Sequence, residues 1–162
     1  MYPWMVYLHL LGLLGFVLAH GASAAAAFAL RRERSLERVQ ALLTLSTGTY
    51  GVMYLSLLVL LVSGIIAGFM GNWWGWGWIW VSLGLLVAMV IAMAVLGSAT
   101  YGAARKTADL PYMQGNKQQP PLPPASPAEL DAALSRANPM LLTVIGYGGL
   151  AVITWLMLFK PF

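Results

Sequence analysis

Residues 7–38 read "YLHLLGLLGFVLAHGASAAAAFALRRERSLER". Up to Leu30 this stretch holds no Asp, Glu, Lys or Arg, and then four arginines arrive within eight residues, at Arg31, Arg32, Arg34 and Arg38. The apolar run extends back to about Tyr2. Roughly 20 such residues suffice to cross a hydrocarbon core about 30 Å thick. Lipid offers the backbone no hydrogen bonds, so a crossing segment closes its own as a helix. The run lacks the basic n-region of a secretion signal and exceeds the usual apolar length of roughly 7–15 residues. It is therefore expected to be a retained span.

The remainder of the chain repeats the pattern. Further apolar segments run from about Leu42 to Phe69, Trp76 to Tyr101 and Met140 to Phe159. Of 162 residues, 60% are hydrophobic and 9% charged, against roughly 25% charged in a soluble domain. Lipid must solvate most of such a surface. The expectation is a single integral membrane domain over residues 1–162, all-α, with four helices in a bundle. A Pro-rich cytoplasmic loop covers about 105–138.

The net charge of +4 does not point to nucleic acid, because the basic residues flank apolar spans. Arg31, Arg32, Arg34 and Arg38 fall in the first connection, and Arg105, Lys106, Lys117 and Arg136 in the third. Lys160 alone is opposed to them. Cytoplasmic loops are the ones enriched in Lys and Arg. Both termini are then expected outside, in a bacterial cytoplasmic membrane. Trp73, Trp74, Trp76, Trp78 and Trp80 crowd the second connection, with Tyr2, Trp4 and Tyr7 at the same level. Such rings anchor at the headgroups; the other reading is a stacked platform for a flat ligand. Gly71, Gly75 and Gly77 suit a tight turn packed against them.

In the third connection, Pro111, Pro120, Pro121, Pro123 and Pro124 predict extended, partly polyproline II chain. "SPAE" then predicts a capping box, with Ser126 as N-cap and Glu129 at N3. It opens a short amphipathic helix over about Pro127–Arg136, expected on the membrane surface before the last span. Asn138-Pro139 starts that span in the same manner.

His9 and His20 are the only histidines. Ionisable residues inside a membrane are expensive and often mark function. Eleven residues apart, they differ by roughly 20° in direction and stand about 16 Å apart along one helix face. They cannot share one zinc ion or clasp one haem iron from a single helix. A haem within one chain needs one histidine and another donor, such as Met53, Met70, Met89, Met93 or Met157, or equivalent histidines across a dimer. The other reading of His20 is an imidazole packed on a neighbouring helix that the following small residues let approach. Tyr50 and Tyr54, one turn apart, could offer hydroxyls to a quinone or a haem propionate, or satisfy neighbours across the bundle. Gly64/Gly68 and Gly146/Gly149 provide flat patches for close helix contact, within the bundle or in a homodimer or larger complex.

No carboxylate or lysine lies mid-span, against an ion-coupled transporter. No phosphate loop, zinc-protease helix or nucleophile elbow occurs, and cysteine is absent. On "YLHLLGLLGFVLAHG", "RRERSLERVQALL" and four spans, the chain resembles bacterial integral membrane proteins of unknown function grouped near copper-resistance-protein-D-like membrane domains. That resemblance implies a first-helix histidine serving haem or copper, and His9 is the matching position. It is similar, more distantly, to four-helix protoporphyrinogen oxidases, whose intramembrane lysine it lacks. The expected function is a non-catalytic or accessory subunit of a membrane complex. The alternative is a redox protein binding haem b or a metal through His9 or His20, and a third is pigment binding in a larger assembly.

Overall fold

A computed structural model of the chain describes residues 1–115 and 117–162. Four helices are long and apolar enough to cross a membrane. Helix α1 spans Tyr2–Leu30 and α2 spans Leu36–Met70. A 3-10 turn at Trp73–Gly75 leads into α3, Gly77–Thr107. After a β-hairpin, β1 Tyr112–Gln114 and β2 Lys117–Gln119, comes the short α4, Pro127–Ser135. The last span is α5, Pro139–Thr143, a π turn at Val144–Gly148, and α6, Gly149–Phe159.

Helix α2 starts at Leu36 rather than about Leu42, and α3 continues to Thr107 rather than stopping at about Tyr101. Glu37, Arg38, Gln40 and Arg105 are good helix formers, so helix propagates past the hydrocarbon. At 35 residues α2 is roughly 52 Å long, and its first turns stand clear of a core about 30 Å thick. Just before it, at the N-cap Ser35, the Glu33 carboxylate folds onto the connection and accepts the amides of Arg34 at 2.9 Å and Ser35 at 3.0 Å. Those bonds hold the Glu33 carboxyl below the usual carboxylate range.

The third connection is more ordered than its prolines suggest. Tyr112 pairs with Gln119 and Gln114 with Lys117 in an antiparallel hairpin. Residues 112–119 contain no proline, so their amides are free to pair, and Gly115 takes the left-handed conformation at φ +60°. Arg105 holds the hairpin's approach by donating to Pro111 O at 2.7 Å and to Thr47 Oγ1 at 2.7 Å. The α4 capping box is present: the Glu129 amide donates to the Ser126 hydroxyl and the Ser126 amide to the Glu129 carboxylate. Asn138 Oδ1 likewise accepts the Leu141 amide that opens the last span.

The apolar face of α4 docks on protein instead of lying on the membrane surface. Leu130 and Leu134 join Leu30, Val39, Leu43, Ala104 and Ala108 in a buried cluster at the arginine-rich end. The bundle itself supplies a better apolar surface than the headgroup region. An ion pair, Arg34 Nε to Asp131 Oδ1 at 2.6 Å, ties the first connection to α4.

A second cluster lies mid-bundle, where Phe16, Met89 and Leu150 pack with Val17, Met53, Leu57 and Met93. Outside these clusters the spans present apolar side chains such as Leu18, Leu55, Val95 and Leu158, the contact surface for a lipid bilayer. The eight clustered basic residues sit at one end of the bundle. The tryptophan turn and Lys160, whose ammonium lies 4.3 Å from the Trp73 ring centroid, sit at the other.

Candidate functional site

The glycines expected to offer flat contact faces are filled by the chain's own side chains. Gly64 receives the His9 ring, and Gly68 receives Trp74 and Ile79. Gly146 receives His20, and Gly149 receives Met89. Of the two settings open to these faces, within the bundle or between subunits, the contacts seen are within the bundle. Glycine at these positions is a matter of space: a side-chain carbon at Gly64 would stand 2.9 Å from His9 Cε1.

The two histidines, though close to one face of α1, meet different neighbours because their axial separation is large. His20 is 5% exposed, with its ring 6.0 Å from Phe16 in a stacked pair and 5.0 Å from Tyr147. Its Nε2 points at Gly146, so closely that a methyl group there would overlap it. That nitrogen is buried without a hydrogen-bond partner among the described residues. Such an orphan costs of order 1–3 kcal/mol, which the surrounding packing must offset. The wall it faces is the widened π turn, and π turns are rare and concentrate at functional sites. Tyr147, in the same turn, donates its hydroxyl to Val17 O at 3.3 Å and sits over Gly21. A ligand on His20 Nε2 would have to displace the backbone of the last span.

His9 is placed differently. Its Nδ1 donates to Leu60 O at 2.8 Å, with Ser63 Oγ 3.3 Å away. That bond assigns the proton to Nδ1 and leaves Nε2 as the acceptor. The ring lines a cleft of about 370 Å³ between α1, α2, α3 and α6. Leu10, Leu60, Ile65, Leu83 and Leu86 form much of its wall, and Met157 lines it as well. At its tryptophan end stand Trp73, Trp74, Trp78 and Lys160.

The tryptophans do not form a stacked platform. Trp73 and Trp78 are tilted by 59°, Trp74 and Trp80 by 62°, and Tyr2 meets Trp73 at 84°. These edge-on and tilted contacts are the arrangement that aromatic quadrupoles favour, and they make a packed collar. Gly71 packs on Trp73 and Gly77 on Phe162, while Gly75 has open space around it.

Tyr50 and Tyr54 contact each other, with centroids 6.4 Å apart, toward the arginine-rich half of α2. Neither lines the His9 cleft. Tyr54 is 60% exposed. The hydroxyls around them are used internally: Ser46 bonds Ser23 across to α1 at 2.8 Å, and Thr47 donates to Leu43 O. Among the described residues, no group of three or more His, Cys, Asp or Glu side chains is placed to hold a metal ion. The feature sequence reading missed is the cleft's charged rim, because Lys160 reads as an isolated charge after the last span. Compared with protein-family models, curated proteins and solved structures, the chain matches none.

Proposed function

We propose that this chain is a small non-catalytic subunit of a membrane complex, in a bacterial cytoplasmic membrane with both termini outside. The observation that carries the reading is the use made of the two histidines. Each imidazole is committed to helix packing, His9 on Leu60 O and Gly64, His20 in the Gly146 notch. Among the described residues neither has an acidic partner, and the one hydroxyl beside His9, Ser63 Oγ at 3.3 Å, donates to its own helix at the Val59 carbonyl rather than to the imidazole. A partner would meet the outward surface, for example at Gly48 and Gly51 of α2, where nothing lies within 4 Å. The orientation rests on the clustering of lysine and arginine at one end.

A second reading keeps one specific support. Histidines that ligate metals usually donate their other ring N–H to a carbonyl or carboxylate, as His9 Nδ1 does to Leu60 O. Met157 lines the same cleft, and histidine with methionine is a known haem ligand pair. In that reading, the one the resemblance to copper-resistance-protein-D-like domains also implies, His9 Nε2 holds haem b or copper.

Purification in mild detergent from cells with haem synthesis intact separates the two. The subunit reading expects a colourless protein that brings a membrane partner with it in stoichiometric amount after cross-linking. A Soret band that disappears in His9→Ala would overturn it in favour of haem binding.

A further inference from the structure

The end of the cleft nearest the tryptophan turn combines three features that helix packing does not require. Lys160 is the one charged side chain at that end of the bundle. The ion pairs among the described residues, Arg34–Asp131 and Arg38–Glu33, both lie at the opposite end. Among the described residues its ammonium makes no ion pair, yet it is positioned, 4.3 Å from the Trp73 ring centroid and 5.8 Å from that of Trp78. Second, the indole nitrogens of Trp74 and Trp78, two rings lining this cleft, are buried donors without an acceptor among the described residues. Trp78 is 3% exposed, so water does not readily serve it. Third, the cleft leads from this donor-rich rim between apolar walls toward Leu86 and Leu150 at mid-bundle. One end asks for a compact anion rich in acceptors and the other for hydrocarbon.

We propose that the cleft is a binding site for an anionic phospholipid, its phosphate at Lys160 and the Trp74 and Trp78 indoles and one chain between α1, α2, α3 and α6. Two N–H donors and an ammonium match phosphate oxygens, which accept charge-assisted hydrogen bonds. A zwitterionic lipid carries its own cation beside the phosphate and gains less from Lys160. The occupant differs from lipid around the rest of the bundle in being selected by headgroup and in reaching the cleft wall. This inference goes beyond the subunit reading and does not depend on it; it competes with haem for the same cleft.

The test uses the full chain in nanodiscs containing brominated-chain lipids, with tryptophan fluorescence as the readout. At equal mole fraction, brominated phosphatidylglycerol is expected to quench more strongly than brominated phosphatidylcholine. The preference should be about fivefold, the worth of one lysine at an anionic membrane surface. Lys160→Gln, at an exposed position, should bring the two lipids to parity while leaving the helical circular dichroism unchanged. Thr154→Phe, which fills the cleft from its rim and keeps Lys160, should remove the tightly held lipid from the native mass spectrum. Equal quenching by both lipids, an unchanged preference in Lys160→Gln, or a bound lipid that survives Thr154→Phe would each overturn the proposal. So would a chromophore occupying the cleft of the purified protein.

Discussion

Gly146 and His20 lie 126 residues apart in the chain and fit together as a ring into a notch. Overfilling a packed site costs about 1–3 kcal/mol. Gly146→Ala is expected to lose that much stability in detergent unfolding followed by circular dichroism. The same substitution in a His20→Ala background should lose less than half as much, because the obstructing nitrogen is gone. Additive losses in the four-way comparison would show that the two do not interact. Part of this was legible beforehand. His20 stood out as a polar ring in an apolar span, and "GYGG" as a place where a helix could approach. The pairing between them was not legible, since single-helix periodicity gives the direction of a side chain and says nothing about which neighbour stands there. His9 illustrates the same limit: its partner Leu60 offers a backbone carbonyl, which leaves no trace in residue identity.

Helix α4, whose start signal is local, was legible in the sequence, and the hairpin, which depends on pairing, was not. Ser126, Pro127 and Glu129 announce α4 within four residues, and the capping box forms. The hairpin beside it went unread because its neighbours are prolines and its strands are three polar or mixed residues each. Ser126→Ala should weaken the start of α4 by about 1 kcal/mol, seen as roughly fivefold faster amide exchange over its first turns. The effect should also depend on pH. The Ser126 amide, and then its hydroxyl, hold the Glu129 carboxyl below its ordinary 4.5. A depressed carboxyl contributes fully above its unfolded-state value and loses that contribution as pH falls through the folded one. The gap between wild type and Ser126→Ala should therefore be widest near neutrality and narrow in acid. A gap that widened on acidification would contradict the capping geometry.

For the molecule as a whole, solvation by lipid was evident from composition, and the four spans with it. The cleft was not, since its walls come from four helices and its rim from the second connection and the residue after α6. The chain contains no cysteine, which makes the proposed orientation directly measurable. Gly75→Cys, in the tryptophan turn, should react with a membrane-impermeant maleimide added to intact cells. Gln118→Cys, in β2, should react after lysis alone, and the reverse pattern would invert the topology. The π turn at Val144–Gly148 carries a consequence for how the gene can change. A bulge of this kind is one residue more than a regular helix needs, so deleting a single codon there would yield a straighter, locally more comfortable segment. The residues beyond it would keep near their present faces, Lys160 by its indoles and Ile153 and Leu156 inward, while the widened wall that His20 meets at Gly146 would be lost. The same loss just beyond, in the regular helix from Gly149, would swing everything after it by about 100°, so the bulge is the one stretch of the last span where a frame-preserving loss of one amino acid leaves the bundle's seam in register.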